Sequence, residues 1–445
     1  MRGSNLIRVG HPYNSHMRIA FITAGAAGMY CGSCMHDNTL ASALIKQGHD
    51  ALLLPTYTPI RTDEEDVSAD RVFFGGINVY LQQKSRLFRH TPWLFDRLLN
   101  SPRLLRWVSR FAVRTQADRL GELTISMLLG ADGKQSKEVA KLVHFLQRDM
   151  RPEVLLLSNV LISGMAPWLK RELGVPILAE LQGDDIFLEA LPAEHRQRSI
   201  ELIRANAAAI DGYLTTSSYY ADFMAGYLGL PRERMHVIYP GLDLRGHGRA
   251  RDFRAKSPYT IGYFARISPE KGLHHLVDAY ILLRKTPDAP PCRLRISGWL
   301  GEHNRPFFEA QLQKLCDAGL AEDVEHLPSP DHAGKVAFLR SLDVLSVPTV
   351  YREPKGLYVL EALANGTPVV QPAHGSFPEL IEATGGGLIV QPENPTALAG
   401  GLKRVLTDRV LRQELCRKGK EAVFARFTAE RMAAETAAAL RQYVH

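Results

Sequence analysis

Short apolar runs alternate with helix-like segments along almost the whole chain, and this alternation limits the fold more than any other feature. The first two runs are RIAFITA at 18–24 and ALLLP at 51–55, with a helical segment at 38–47 between them. Later strand-like runs follow the same pattern at 153–157, 175–181, 212–216, 235–239, 259–265, 294–298, 324–328 and 342–347. Strands separated by helices favour parallel sheets that are covered by helices. The sequence therefore predicts an α/β protein with two parallel sheets.

A polar stretch near the middle of the chain divides this pattern in two. Residues 241–257 are rich in Gly, Arg and other polar residues and have no apolar period, which is typical of a linker. A chain of 445 residues also suits two cores of about 200 residues each. We therefore predict domains at 17–240 and 258–427, a carboxy-terminal helix at 428–445 that packs back on the first domain, and a flexible extension at 1–16.

The cysteines and the apolar profile predict a cytoplasmic protein. Five cysteines are an odd number, which does not suit the disulfide framework of a secreted domain. The amino terminus lacks the apolar core of a secretory signal, and no run of about 18 apolar residues offers a membrane span. An excess of 54 basic over 47 acidic residues gives a net charge of +7, which favours anionic partners without choosing among nucleic acid, phospholipid and nucleotide.

Two glutamates lie where a phosphorylated, polyhydroxylated ligand would suit them. Glu353 falls in a loop at 349–356, and Glu361 falls in a helical segment at 357–364 that ends at Asn365-Gly366. Carboxylates accept strong hydrogen bonds from sugar hydroxyls, and a helix N-terminus attracts phosphate. The alternative is a surface helix whose two glutamates are solvated.

Two cations upstream suit a diphosphate. Arg266 and Lys271 follow the strand-like run at 259–265 and come at or just before a helix start. Together with helix N–H groups they would neutralise a diphosphate leaving group as its bond to a sugar breaks. A divalent metal is then not needed, and we predict none. The alternative is a pair of exposed basic residues in a loop.

These two segments resemble the signatures of glycosyltransferase family 4, the retaining nucleotide-sugar glycosyltransferases. That family has a Glu, seven residues and a second Glu followed by Ala, and then Gly-Thr-Pro-Val-Val. Here Glu353 and Glu361 precede GTPVV at 366–370. Residues 261–272, IGYFARISPEKG, are similar to the family's donor-phosphate segment, with Ala265 where a glycine is usual. The resemblance covers most of the chain and is most specific in its second half.

The resemblance implies the GT-B fold, in which two Rossmann-like domains face a central cleft. It also implies sugar transfer with retention from a UDP-, GDP- or ADP-sugar, without a cofactor. Glu353, Arg266 and Lys271 would be catalytic, and Glu361 would hold the ribose. The other predicted donor-binding residues lie at loops and strand ends of the second domain: Gly298, Ser329, Lys355, Gly356 and Leu357. We favour front-face attack with the departing phosphate as the base, and the alternative gives Glu353 a covalent role.

Lys355 departs from the family pattern, which usually has an aromatic or small residue before the glycine. The preceding Pro354 lacks an N–H group and has a fixed φ, so we expect a reshaped donor pocket. In such a pocket Lys355 would face a charged sugar or a phosphate. The identity of the transferred sugar therefore stays open.

A segment of the first domain supplies predicted acceptor residues. The resemblance implies a histidine where this chain has Gln182, which exchanges hydrogen bonds with sugar hydroxyls but cannot carry a proton as histidine does. Asp184 and Asp185 follow it. They either orient the acceptor or cap a helix at about 186–190.

The glycine-rich loop GAAGMYCGSC at 25–34 follows the first strand. Its Gly28 and Gly32 would approach the diphosphate and the acceptor with little steric bulk. The loop lacks the G-x-G-x-x-G spacing of dinucleotide-binding folds, which counts against an NAD enzyme. Cys31 and Cys34 lack the second ligand pair that a zinc site needs.

A basic and aromatic stretch at 81–119 holds nine cations against two aspartates, interleaved with five aromatic residues. It either forms an amphipathic insertion that packs its aromatics on the domain, or contacts an anionic membrane or a lipid-linked acceptor. No helix-turn-helix or RNA-binding signature accompanies it, and we predict no nucleic-acid partner. The expected partners are a nucleotide sugar and a carbohydrate or lipid-linked acceptor, with the protein at the inner face of the membrane if this stretch makes contact.

Two other kinds of protein would share the predicted donor site. A sugar-nucleotide epimerase or hydrolase would alter a nucleotide sugar without any acceptor. A non-catalytic nucleotide-sugar-binding protein would bind the donor and show no turnover.

Overall fold

The computed structural model describes residues 16–25, 32–69, 117–249 and 257–444. Parts of several predictions lie outside these residues: the extension at 1–16 except its last residue, Gly28 with most of the glycine-rich loop, most of the basic stretch at 81–119, and residues 250–256 of the linker.

The first sheet has six parallel strands in the order β2-β1-β3-β4-β5-β6. In register, Ile19 of the first strand pairs with Ala51 on one side and with Val154 on the other. The central strands are buried along their whole length and are apolar except for Glu180, as expected of parallel strands covered on both faces. The bounds are β1 Arg18–Thr23, β2 Asp50–Pro55, β3 Val154–Leu157, β4 Ile177–Leu181, β5 Gly212–Thr215 and β6 Met235–Val237.

Helices connect these strands and cover the sheet. Local signals explain their ends. Ser217 caps α7 by accepting a hydrogen bond from the N–H of Tyr220, and Gly229 ends that helix in the left-handed conformation. The described helices are α1 Gly32–Lys46, α2 Ala117–Leu128, α3 Ser136–Phe145, α4 Ala166–Leu173, α5 Asp184–Glu189, α6 Ala193–Asn206 and α7 Ser218–Leu228.

The second sheet also has six parallel strands, in the order β12-β11-β10-β7-β8-β9. Strand β10 is short, but it pairs with both β11 and β7 and so joins the two sides of the sheet. The bounds are β7 Tyr259–Phe264, β8 Cys292–Gly298, β9 Val324–Pro328, β10 Val344–Leu345, β11 Val369–Pro372 and β12 Gly387–Val390.

The helices of the second half follow the same alternation. They are α8 Leu273–Lys285, α9 Arg305–Asp317, α10 His332–Ser341, α11 Leu357–Ala364, α12 Phe377–Thr384, α13 Pro395–Thr407, α14 Arg409–Arg426 and α15 Ala429–Arg441. We call β1–β6 with α1–α7 the amino half, and β7–β12 with α8–α14 the carboxy half. The architecture is the predicted one, with two parallel sheets and covering helices.

Some element boundaries differ from those predicted. The first helix begins at Gly32, six positions before the predicted start, and the strand expected at 342–347 is reduced to two residues. Helix α5 begins at Asp184, so Gly183, with a φ of 120°, takes the N-cap position. The expectation that Asp184 or Asp185 is the cap is therefore wrong, because both lie inside the first turn.

The last helix, α15, returns to the amino half. Leu242 donates a backbone hydrogen bond to the carbonyl of Phe427, and the N–H of Ala429 donates to the carbonyl of Leu242, each at 2.9 Å. The chain segments that link the two halves therefore lie side by side. Beyond them, Met432 and Leu440 of α15 share a buried apolar cluster with residues of β1 and α1.

Across the described residues, no helix combines the length and the apolar character that crossing a membrane would require.

Candidate active site

The carboxyl ends of both sets of strands carry the loops that hold the predicted site residues. In a parallel sheet the carboxyl ends of the strands lie along one edge of the sheet, and ligands bind at that edge in folds of this type. The loop before α11 brings Glu353 and Lys355 to the carboxyl edge of the second sheet. The turn after β7 brings Lys271, and the end of β4 brings Gln182 from the amino half.

Glu353 and Lys271 form the centre of the site. The Nζ of Lys271 lies 2.9 Å from Oε2 of Glu353. The same oxygen accepts hydrogen bonds from the hydroxyls of Tyr351 and Tyr358, at 2.9 and 3.0 Å. The other carboxylate oxygen accepts the N–H groups of Lys355 and Gly356, both at 3.3 Å. The glutamate is 5% exposed, so these five donors replace water around its charge.

The donors determine the charge of Glu353. Burial alone would raise its pKa, but Lys271 and the hydrogen bonds from Tyr351 and from the backbone of Gly356 lower the pKa to about 2. Lys271 also lies over the rings of Tyr351 and Tyr358, at 5.0 and 5.1 Å from their centres. The result is a fixed ion pair, held between two aromatic rings, at the edge of the second sheet.

Backbone geometry at Gly272 aims Lys271. A one-turn helix at Pro269–Lys271 precedes this glycine, whose φ is 74°. An added Cβ would lie 1.7 Å from the carbonyl oxygen of Pro348. Only glycine therefore allows the turn after β7 to approach the end of β10 closely enough for Lys271 to reach Glu353.

Lys355 links the carboxy half to the amino half. Its Nζ donates to Oγ of Ser33, in the first turn of α1, at 2.8 Å and to Oε1 of Gln182 at 2.9 Å. A second link lies beside it, where the hydroxyl of Thr216 donates to the carbonyl of Pro354 at 2.8 Å. Gly32 lies at the same junction, because a Cβ added there would meet the side chain of Leu357 at 3.8 Å.

The side chain of Gln182 is held by an acidic cluster that the sequence analysis missed. Its Nε2 lies within 2.9 Å of three acceptors, which are Oδ1 of Asp37, the carbonyl of Ser158 and Oε2 of Glu180. An amide nitrogen has two hydrogens, so it can donate to at most two of these three oxygens at one time. Burial is the largest cause that raises the pKa of both carboxyl groups, and Glu180 raises that of Asp37 further.

His36 completes this cluster. Its Nε2 is 3.7 Å from Oε2 of Glu180, and its buried Nδ1 has no hydrogen-bond partner among the described residues. Burial, with Lys355 nearby, lowers the pKa of His36 to about 4. One ligand atom each of His36, Asp37 and Glu180 lie within 4.8 Å of one another, a donor set that suits a divalent cation. A glutamate inside a buried strand and an aspartate on a buried helix face were the sequence signals that would have revealed the cluster.

Asp184 and Asp185 support the backbone around Gln182. The carboxylate of Asp184 accepts the N–H groups of Val160 and Gln182, at 3.0 and 3.1 Å. Asp185 accepts the hydroxyl of Tyr220 at 2.5 Å. Burial raises the pKa of both aspartates.

Glu361 lies in a separate buried ion cluster. Its Oε1 is 2.7 Å from Nζ of Lys335, which is also 2.5 Å from Oδ2 of Asp63 in the amino half. Burial alone would lower the pKa of Lys335, but Glu361 and Asp63 raise it well above its usual value. This contact between the halves was not foreseen, because Asp63 and Lys335 have no motif around them.

The other predicted residues lie around this centre. Arg266 pairs with Glu270 at 2.5 Å and does not contact Glu353. Gly298, with a φ of 140°, ends β8 where an added Cβ would lie 1.8 Å from the carbonyl oxygen of Ala265. Ser329 is exposed after β9.

Comparison with known proteins gives the family. The family model described as "Glycosyl transferase 4-like domain" matches residues 38–241, and the model described as "Glycosyl transferases group 1" matches residues 249–422. Among curated proteins, the D-inositol 3-phosphate glycosyltransferase of Jonesia denitrificans is 28% identical over 306 residues, which cover 62% of this chain and 70% of the relative.

Solved structures share the fold. The sucrose-phosphate synthase of Thermosynechococcus elongatus has a TM-score of 0.70 and 19% identity, with 95% of this chain and 98% of that chain covered. The HepE protein of Anabaena, solved in complex with UDP, has a TM-score of 0.66 and 18% identity, with 96% and 100% covered. Their likeness extends over both sheets, so the fold is GT-B. Because the two family models together span most of the sequence, from residue 38 to residue 422, the chain belongs to the family of group 1, 4-like glycosyltransferases.

Proposed function

We propose that this protein moves a sugar from a nucleotide diphosphate sugar to an acceptor hydroxyl, with retention at the anomeric carbon and without a metal ion. The observation that carries the proposal is the ion pair of Lys271 with the buried Glu353 at the carboxyl edge of the second sheet. A fixed cation at this edge is suited to the negative charge that develops on a departing diphosphate. The complex of HepE with UDP makes UDP the first nucleotide to test.

Glu353 is better suited to hold Lys271 than to react. A carboxylate has about four lone-pair sites, and five donors already surround this one. Its pKa of about 2 also makes it a weak base. These features support front-face attack. In that step the bond from the anomeric carbon to the phosphate oxygen breaks, the acceptor oxygen bonds to the same face of the sugar, and the hydroxyl proton passes to the departing phosphate.

Glu361 is proposed to hold the ribose hydroxyls. Among the described residues, only its Oε1 is hydrogen-bonded, to Lys335, which leaves the second oxygen for a ligand. Arg266 is proposed to assist at the diphosphate. It would have to exchange Glu270 for the donor, which a half-exposed ion pair allows at little cost. The odd number of cysteines supports a reducing, cytoplasmic setting for the reaction.

A first experiment identifies the donor and then removes the cation. UDP-, GDP- and ADP-sugars are screened by thermal shift, because a ligand that binds the folded protein raises its melting temperature. With the best donor, Lys271→Met should lower kcat/KM for transfer about 100-fold or more, the usual effect of losing one such charge-stabilising group. Excess EDTA should leave the wild-type rate unchanged, and NMR of the product should show the donor's anomeric configuration.

Two variants serve as controls. The exposed Lys285→Met, at the end of α8, should keep full activity. Lys271→Met with Glu353→Gln removes both charges together and so avoids an unpaired buried carboxylate if the single variant unfolds. Near-normal transfer by Lys271→Met would contradict the proposal. So would loss of the sugar nucleotide without an acceptor, which indicates a hydrolase or epimerase. Activity lost to EDTA and restored by Mn²⁺ would contradict metal independence and direct attention to His36, Asp37 and Glu180.

A further inference from the structure

Lys355 is a buried cation whose hydrogen-bond partners, among the described residues, are uncharged. The residue is 6% exposed, and its ammonium donates to the hydroxyl of Ser33 and to the amide oxygen of Gln182. An ammonium has three N–H groups, so one remains after these two bonds. Within the described residues, no carboxylate oxygen lies within 4.0 Å of Nζ of Lys355, the distance at which the two would form an ion pair. Buried charges are normally paired, but among the described residues this one has no ion-pair partner.

The N-terminus of α1 adds a second positive charge beside Lys355. Ser33 is the second residue of α1, a helix of 15 residues with no acidic side chain in its first turn. The N-terminus of a helix carries a partial positive charge. The ammonium therefore lies against a second positive group, and an anion at the same place would stabilise both.

The nearby carboxyl groups do not fill this role. Asp37 and Glu180 contact the Nε2 end of Gln182, whereas Lys355 contacts its Oε1 end. The amide therefore separates the acids from the ammonium.

We propose that Lys355, Ser33 and the first turn of α1 form a subsite for an anionic group, a carboxylate or a phosphate, carried by one of the two sugar-transfer substrates. This inference rests on the proposed function, because the subsite lies beside the Lys271 and Glu353 pair. The anion has two sources, the carboxylate of a sugar acid on the donor or a phosphate on the acceptor. In either case the subsite selects a charged substrate over its neutral counterpart.

Two comparisons, one of donors and one of acceptors, identify which substrate carries the anion. In the donor arm, kcat/KM is compared for UDP-glucuronate and UDP-glucose. In the acceptor arm it is compared for inositol 3-phosphate and inositol. We expect the wild type to prefer the charged member of one arm by about tenfold or more, and Lys355→Gln to reduce that ratio to near one. Lys355→Arg should restore part of the preference, because it returns the charge.

A binding experiment tests the subsite without measuring sugar transfer. Glucuronate and inorganic phosphate are added to each protein, and one of them should raise the melting temperature of the wild type more than that of Lys355→Gln. Without any ligand, Lys355→Gln should melt at the same or a higher temperature, because it removes an unpaired buried charge. A merely structural lysine would show the opposite, a lower melting temperature.

The outcomes separate this subsite from the proposed function. Full transfer by Lys271→Met would overturn the proposed function, whatever the result at Lys355. The subsite is overturned if the wild type neither prefers a charged substrate nor is stabilised by either anion. An equal loss by Lys355→Gln for charged and neutral substrates would also overturn it, since Lys355 would then serve the diphosphate that all donors share.

Discussion

Glu353 is ionised at a depth where most carboxyl groups would hold a proton. Transfer of an unpaired carboxylate to the interior is very costly, and the cost falls only when donors replace water. Here one lysine, two tyrosine hydroxyls and two backbone N–H groups do so. The charge of this residue is therefore a property of the folded site and should disappear when the protein unfolds in acid.

The stability of the protein should depend on Glu353 in acid. The pKa of its carboxyl group is about 2 in the folded state and near 4.5 when unfolded, so its contribution is complete above pH 4.5 and is lost as the pH falls toward 2. The difference corresponds to roughly 3 kcal/mol. Glu353→Gln should flatten the fall of the unfolding free energy between pH 5 and about pH 2.5, measured by urea denaturation. The exposed Glu382→Gln, on α12, should leave that fall as it is.

Single residues of the site were predictable only where a motif fixes them. The resemblance to the family's motifs implied that Glu353, Lys271 and Glu361 belong to one donor site. It could not show that Glu361 pairs with Lys335, because the contact depends on how two helices pack. The direction of the Gln182 amide was also hidden, since Asp37, which fixes it, lies 145 positions away in the chain.

At the scale of elements, tight turns place the charged groups. Gly272 has the closest such contact, because a Cβ added there would lie 1.7 Å from the carbonyl oxygen of Pro348, just after β10. A side chain there would move both the turn and the lysine that precedes it. Some glycines elsewhere have no such role. Gly400 lies on the exposed face of α13 with nothing near its missing Cβ.

The two glycines should therefore respond oppositely to alanine. Gly272→Ala should lower the unfolding free energy by about 2 kcal/mol or more, because φ is positive and the Cβ meets a carbonyl oxygen. Gly400→Ala should raise it by about 0.4–1 kcal/mol, since alanine reduces the freedom of the unfolded chain. Denaturant titration measures both. Equal effects from the two substitutions would show that the turn is not restrictive.

The sequence predicted which segments are helices and which are strands, but it often did not predict where they begin and end. Apolar periodicity located α11 at 357–364, which are the observed bounds. It missed the first turns of α1, because residues 36–39 of that helix are polar yet buried. Buried polar residues break the apolar pattern where they serve a site. The ends near the site are therefore the hardest to predict.

At the scale of the molecule, polar contacts hold the two halves together across the cleft. The carboxylate of Glu379 on α12 accepts the N–H groups of Ser218 and Tyr219, both at 2.9 Å, at the start of α7. Asp63 meets Lys335 on the other side. Such contacts are exchangeable, since each joins groups that water or a ligand can also satisfy. They suit a cleft that closes on substrates and reopens.

Removing Asp63 should favour an open cleft. Asp63→Asn leaves Lys335 paired with Glu361 but weakens the contact between the halves, at a cost of about 1–3 kcal/mol. We expect a larger radius of gyration by small-angle X-ray scattering, reversed by saturating donor. Asp222→Asn breaks an exposed pair with Arg232 inside the amino half and should not change the radius. An unchanged radius in Asp63→Asn would mean that this contact does not hold the cleft closed.

The return of α15 to the amino half has a consequence for protein engineering. The halves of this chain cannot be exchanged with those of a relative by a single splice near residue 241. Such a chimera would bring the relative's last helix against the α1 and β1 of this chain, where Met432 and Leu440 are now fully buried. Two splices, the second between Arg426 and Ala429, keep the native helix in place. A recombinant of this chain that keeps the packing of α15 therefore needs two crossover points in the gene.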